Sequence, residues 1–171
     1  GTVSYQGQGA ADNVAISQAV GSASINGEGG IDTIVLTATD TMANTITFNG
    51  GAQTDVLTLV DAGLVDADLA NVSLVETLVL SAASTVTLGA NATASGIATI
   101  TGSAGNDTVN ASAMTTAVNI NMVANGTNTV LGGTGADTIT GGGVVDTVTG
   151  GSGKDTIILG AGADVLKYVA N

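Results

Sequence analysis

The chain contains no cysteine, proline, histidine or tryptophan, and Lys154 and Lys167 are its only basic residues, so arginine is missing as well. Lack of cysteine means that no disulfide framework holds the fold. Lack of histidine and cysteine leaves no nucleophile with a base beside it, since neither lysine lies in a recognisable apolar cleft. A polysaccharide lyase needs cations to neutralise its uronate, and arginine and histidine offer none here. A glycosidase needs two apposed carboxylates, one with a raised pKa, whereas these carboxylates sit in glycine turns, where they are expected to be solvated or metal-bound. The sequence therefore reads as that of a non-enzyme. With three aromatic residues, the core has to be built from thin aliphatic layers and not around large rings. Fourteen acidic residues against two lysines give a formal charge of −12, which excludes an ordinary surface for nucleic acid or anionic lipid. No apolar run approaches the ~18 residues of a membrane-crossing helix, so no membrane insertion is expected, and no signal peptide opens the chain. At 171 residues the chain is one domain or one stretch of a longer solenoid; both ends fall in mid-pattern, so a piece of a longer protein is expected.

What is abundant is glycine, 26 residues, with Ala, Val, Thr, Ile and Leu supplying most of the rest, a mixture suited to tight turns and short strands. Residues 132–167 are the most regular stretch and read as four nine-residue units: GGTGADTIT, GGGVVDTVT, GGSGKDTII and LGAGADVLK. Each has glycine in its first half, an aspartate sixth (Asp137, Asp146, Asp155, Asp164) and an aliphatic residue eighth (Ile139, Val148, Ile157, Leu166). Closely spaced glycines allow a sharp turn through positive φ. The three residues that follow, such as Thr138-Ile139-Thr140, put one side chain inward and two outward, a minimal strand. Two units then make one coil of a flattened solenoid, so loops two units apart stack. Asp137 should face the loop of Asp155, and Asp146 that of Asp164.

Carboxylates stacked at the ~4.8 Å strand spacing repel unless a cation lies between them. Calcium suits such a place because it accepts six to eight oxygens in a flexible shell. Candidate metal residues are therefore Asp137, Asp146, Asp155 and Asp164 with the turn glycines Gly132, Gly133, Gly135, Gly141, Gly150, Gly151 and Gly153. Asp107 joins them, because its turn GSAGND keeps glycine at the first and fourth positions. The alternative for the same aspartates is an Asx-turn with their own backbone.

Ahead of residue 126 the grammar loosens. Acidic anchors recur at Asp12, Asp32, Asp55 and Glu76, at intervals of 20, 23 and 21 residues, close to one coil each. The turns GQGAAD and GGAQTD carry Ala10 and Gln53 where the nonamer has its fourth-position glycine, so calcium is less expected at Asp12, Asp32 and Asp55. Residues 23–26, 44–49, 85–88 and 118–122 read as the second strand of each coil. One excursion breaks the rhythm, with Asp61, Asp66 and Asp68 close together, and residues 66–71 read as a helical turn capped by Asp66. Thr-x-Thr triplets begin at Thr45, Thr85, Thr99, Thr138 and Thr147. Such threonines are expected to point outward, and β-propensity accounts for them. The organisation expected is all-β: a parallel β-roll or β-helix solenoid of two sheets with coils of about 18 to 23 residues. Irregular coils should fill residues 1–125 and nonapeptide coils residues 126–171, continuous with the first part.

The nonamers resemble the RTX, or haemolysin-type, calcium-binding repeat, G-G-x-G-x-D-x-U-x, with departures at Val144 and Leu159. The looser coils, with SLVETLVL and GSAGNDTVN, resemble RTX-related surface-layer proteins of Gram-negative bacteria. That resemblance implies type I secretion, calcium-triggered folding outside the cell and assembly into a lattice or filament. The expected partners are further copies of the chain and cell-surface polysaccharide, and the expected location is extracellular, at the cell surface. The other reading is a calcium-binding spacer or secretion module of a larger adhesin, toxin or secreted enzyme.

Overall fold

A computed structural model describes residues 2–16, 22–37, 46–60, 63–122 and 125–168. Among these the chain forms short parallel strands stacked coil on coil, with one α-helix of six residues. One sheet runs through all the coils. It contains eight strands: β2 (Asn13–Ile16), β4 (Thr33–Leu36), β6 (Val56–Leu59), β8 (Thr77–Leu80), β10 (Thr99–Thr101), β12 (Asn119–Asn121), β14 (Thr138–Gly142) and β16 (Thr156–Gly160). The strands between them fall into two further sheets. The first holds β1 (Thr2–Gln6), β3 (Ser22–Asn26), β5 (Ile46–Asn49) and β7 (Val72–Ser73); the second holds β9 (Thr85–Thr87), β11 (Thr108–Asn110), β13 (Thr129–Leu131), β15 (Thr147–Thr149) and β17 (Val165–Lys167). The expected two-sheet coil is thus present at each level, but its second sheet changes partway along the stack.

The change happens around the excursion. A 3-10 turn at Asp66–Leu69 lies in one coil and helix α1 (Ala90–Ser95) in the next, and the two pack together. Asp66 does not cap its own turn, whose first amide, that of Val65, donates to Asp68 Oδ2 at 2.9 Å. Its carboxylate reaches across to the helix in the following coil and accepts the amides of Gly89, Asn91 and Ala92 at 2.6, 3.0 and 2.9 Å. Three of the helix's otherwise unserved donors are satisfied in this way by a residue 23 to 26 positions earlier. Asp61 lies outside the described residues.

Register stacks like on like. Val14, Ile34, Leu57, Leu78, Ile100, Ile120, Ile139 and Ile157 form a single aliphatic column through the long sheet. Facing it are Tyr5, Ile25, Phe48 and Val72 at one end and Val86, Val109, Val130, Val148 and Leu166 at the other. Four-residue strands β4, β6 and β8 each bury two side chains, whereas three-residue strands such as β10 and β11 bury one. The core is therefore thicker at the N-terminal end. Most threonines of the triplets face outward, but Thr149 is buried, and Thr45 lies outside the described residues. The triplets of Thr138 and Thr147 fall in different sheets. Among the described residues no helix is long and apolar enough to cross a membrane.

Candidate metal centre

Each acidic anchor sits at the end of a six-residue turn, just before a strand, and the stacking of strands brings anchors of successive coils together. Along one edge the amide of Asp12 donates to Asp32 Oδ1 at 2.8 Å, that of Asp32 to Asp55 Oδ1 at 2.7 Å, and that of Asp55 to Glu76 Oε2 at 2.8 Å. The same edge resumes with Val118 to Asp137 Oδ1 at 3.0 Å and Asp137 to Asp155 Oδ1 at 3.0 Å. The opposite edge runs from the amide of Ser84 to Asp107 Oδ1, Asp107 to Asn128 Oδ1, Asn128 to Asp146 Oδ1 and Asp146 to Asp164 Oδ1, at 2.8 to 3.0 Å. Asp137 does meet the loop of Asp155, and Asp146 that of Asp164. Of the two environments expected from the sequence, solvated or metal-bound, the solvated one does not hold for Asp32, Asp55, Asp107, Asp137 and Asp146, which are buried. An amide given by the neighbouring coil is what makes this burial tolerable.

The second carboxylate oxygen divides the turns into two kinds. In turns 102–107, 132–137 and 141–146 the amide of the turn's second residue donates to it: Ser103 to Asp107 Oδ2 at 2.7 Å, Gly133 to Asp137 Oδ2 at 2.7 Å, and Gly142 to Asp146 Oδ2 at 2.6 Å. These are the Asx-type bonds of the alternative reading, and the Ser103 hydroxyl adds to one of them. In turns 27–32, 50–55, 150–155 and 159–164 the second residue is at positive φ: Glu28 at 67°, Gly51 at 108°, Gly151 at 99° and Gly160 at 92°. The Oδ2 atoms of Asp32 and Asp55 are buried without a hydrogen-bond partner, and so is that of Asp12, whose turn has no positive φ at its second residue.

Electrostatics follow from this packing. Burial pushes the Asp137 carboxyl above its ordinary value of 3.8, opposed by the amides of Val118 and Gly133 and reinforced by the charge of Asp155. Burial likewise raises Asp55 above 3.8, opposed by the Asp32 amide and reinforced by the charges of Asp32 and Glu76. Both are acids held beside other acids without a cationic neighbour, which favours any cation that reaches them.

The remaining donors around these turns are all oxygen. A Cβ on Gly132 would lie 2.2 Å from Gly150 O and 2.7 Å from Asp137 Oδ2. One on Gly141 would lie 2.2 Å from Leu159 O and 3.0 Å from Asp146 Oδ2, and one on Gly150 would lie 2.4 Å from Asp155 Oδ2. Carbonyls of Gly133 and Gly135 crowd Gly151 and Gly153 in the next coil in the same manner. Only glycine fits between these oxygens, which is why the turns are spelled with it. Among the described residues no three acidic side chains converge on one point, so backbone carbonyls would have to complete any shell. Such a set fits a hard, oxygen-seeking cation with adaptable coordination, the calcium class, and it lacks the nitrogen and sulfur donors of zinc or copper. The chemistry that an ion would supply here is charge neutralisation between coils.

Every candidate from the sequence lies on one of the two edges. Gly132, Gly133, Gly135, Asp137, Gly150, Gly151, Gly153 and Asp155 come together on the edge that leads into the long sheet, and Asp107, Gly141, Asp146 and Asp164 on the other. Sequence reasoning passed over Asn128, which occupies an aspartate's rung and donates its Nδ2 to Gly126 O at 2.8 Å. The triplet Asn128-Thr129-Val130, parallel to Asp107-Thr108-Val109, could have shown it.

Residues 81–171, more than half of the chain, match the family model described as peptidase M10 serralysin C terminal. No curated protein and no solved structure matches the chain. Within the matched segment lie the four nonamers, the turn of Asp107 and the whole second ladder. The chain belongs to the peptidase M10 serralysin C-terminal family, the RTX calcium-binding β-roll region, built here as a β-solenoid.

Proposed function

We propose that this chain is a structural, extracellular calcium-binding module whose C-terminal coils fold on binding calcium and whose copies associate side by side into a surface layer or filament. The observation that carries the calcium part is the stacking of Asp137 on Asp155 and Asp146 on Asp164 between glycine turns lined by backbone carbonyls. Calcium would bind through Asp107, Asp137, Asp146, Asp155 and Asp164 together with those carbonyls. Lateral association draws support from the outward face of the long sheet. Its registered positions, among them Thr99, Thr101, Asn119, Asn121, Thr138 and Thr140, carry no charge, although the chain as a whole carries −12. Copies can meet on that face without like-charge repulsion.

A second reading, a secretion-linked or spacer module of a larger secreted protein, draws support from the match to a serralysin C-terminal domain. Sedimentation and circular dichroism with and without millimolar calcium test both. A rise in β signal with growth of large species supports the assembly reading. A rise in β signal with a strictly monomeric chain supports the spacer. A spectrum unchanged after exhaustive chelation sinks the calcium reading itself.

A further inference from the structure

The family match begins at residue 81, yet the ladder with the least satisfied oxygens lies before it. Asp32 and Asp55 are 3% and 0% exposed, and the Oδ2 of each has no hydrogen-bond partner. Each is also surrounded by acceptors. A Cβ on Gly27 would lie 2.1 Å from Asp32 Oδ2 and 2.2 Å from Gly50 O, and one on Gly50 would lie 2.5 Å from Asp55 Oδ2 and 1.9 Å from Leu74 O. A carboxylate oxygen and a carbonyl of the next coil thus crowd the first glycine of each turn, as Asp137 Oδ2 and Gly150 O crowd Gly132. The difference is that Gly133 donates to Asp137 Oδ2 while the equivalent residues, Glu28 and Gly51, are held at positive φ. Leaving a buried anionic oxygen among acceptors is strongly unfavourable unless something positive arrives.

Asn128 shows the same rung solved without a charge. Its Oδ1 accepts the Asp107 amide, and its Nδ2, standing where an aspartate has its second oxygen, donates to a carbonyl of its own turn. A donor in that place closes the site. An acceptor leaves it open.

We propose that turns 27–32 and 50–55 form a second set of divalent-cation sites, separate from the nonamers, with Asp32 Oδ2 and Asp55 Oδ2 as ligand atoms and neighbouring coil carbonyls completing an oxygen-only shell of the calcium class. Glu76 ends the ladder by holding the Asp55 amide, and Asp12, whose Oδ2 is also buried without a partner, begins it beside Tyr5. Metal binding outside the matched segment does not depend on whether the nonamers bind.

The chain supplies its own reporters. Its only tyrosines are Tyr5 and Tyr168, and it has no tryptophan. Tyr5 stands by the N-terminal ladder, and Tyr168 lines a cleft with Asp155 and Leu166 in the last coil. Terbium, a calcium mimic, is added to the full chain carrying Tyr168→Phe, so that Tyr5 alone can sensitise its emission. The proposal expects Tyr5-sensitised emission that calcium displaces and that Asp32→Asn abolishes. The precedent of Asn128 indicates that asparagine fits the rung, and circular dichroism checks the fold; should Asp32→Asn not fold, Asp55→Asn is assayed by calcium equilibrium dialysis and should bind less than the parent chain. The reciprocal Tyr5→Phe chain reports the last coil alone, and its signal should ignore Asp32→Asn. Dark terbium in the Tyr168→Phe chain while the Tyr5→Phe chain lights up overturns the proposal and leaves the nonamer reading standing. So does emission that survives Asp32→Asn, or a site filled by a proton alone, which gives no terbium signal at neutral pH. Emission from Tyr5 with a dark Tyr168 upholds the proposal and removes the nonamer reading.

Discussion

The coils before β9 and those after it solve the same problem with different materials. In the N-terminal coils three successive strands of the long sheet, β4, β6 and β8, bury two large side chains each, Ile34 with Leu36, Leu57 with Leu59, Leu78 with Leu80. In the nonamer coils β14 and β15 bury one large side chain each, Ile139 and Val148, and β16 and β17 bury none. At about 1.5–3 kcal/mol for each buried aliphatic side chain, the C-terminal coils have at most about half the apolar stabilisation per strand. They also contain more glycine, whose ordering costs more backbone entropy than that of any other residue. The carboxylate ladders run through both regions. A thick core can hold its ladder in place without help, whereas a thin core needs the ladder to contribute, and that is where a cation between coils matters most.

The largest effect should come from removing calcium altogether. Amide protons of β14 to β17 should lose protection in chelator, while those of β4, β6 and β8 keep it, in hydrogen exchange followed along the chain. Uniform loss of protection would erase the distinction between the regions. Next in size is a core truncation: Leu57→Ala should destabilise by about 2–5 kcal/mol, as buried leucine truncations do, and by a similar amount with or without calcium. Val130→Ala, in the thinner core, should cost less in denaturant titrations. Smaller again is the pair Asp155→Asn and Asp32→Asn. The first should raise the calcium midpoint for folding clearly, and the second should move it little even where it removes a bound ion, because the N-terminal coils do not rely on metal to fold.

The parts of this plan that repeat were readable in the sequence. Period nine at Asp137, Asp146, Asp155 and Asp164 placed loops two units apart on each other, and strand alternation put Ile139 and Val148 inside. Residues whose role depends on a neighbouring coil were not readable. Asp66 sits where a cap belongs, but the amides it serves belong to the helix Ala90–Ser95, a segment too short to show a helical period. Burial of Asp55 and Asp146 runs against the usual exposure of aspartate and becomes acceptable only through an amide from the adjoining coil. The division between closed and open turns cannot be read from the residue type at the second turn position, since glycine occupies it in both kinds, as Gly133 and Gly151 show.

A finer comparison concerns two glycines. A Cβ on Gly151 would meet Gly133 O at 2.2 Å and its φ is +99°, so Gly151→Ala should cost at least ~1–2 kcal/mol, the penalty of the left-handed conformation alone. A Cβ on Gly29 would meet only the Gly9 Cα, at 3.8 Å, and its φ is not positive, so Gly29→Ala should stabilise by about 0.4–1 kcal/mol through the unfolded chain. Thermal midpoints of the two variants give the answer, and equal shifts would mean that the two turns tolerate side chains alike.

The smallest expected effect is on pH dependence, and it compares the regions through a single carboxylate in each. Asp55 and Asp137 both have folded pKa values raised above 3.8. In the window from 3.8 up to those raised values the native chain binds more protons than the unfolded one, so stability falls as pH rises through it. Metal-free protein should therefore resist urea slightly better at about pH 5 than at pH 7. Calcium favours the anionic carboxylate, which lowers the folded pKa and reverses the sign, so that in its presence stability falls as pH drops. Two amides oppose the rise at Asp137, those of Val118 and Gly133, and one opposes it at Asp55. Asp55→Asn should for that reason remove more of the metal-free acid stabilisation than Asp137→Asn does, as read from urea midpoints at the two pH values. A larger loss with Asp137→Asn would mean that the open turns of the N-terminal ladder are not the more strained of the two.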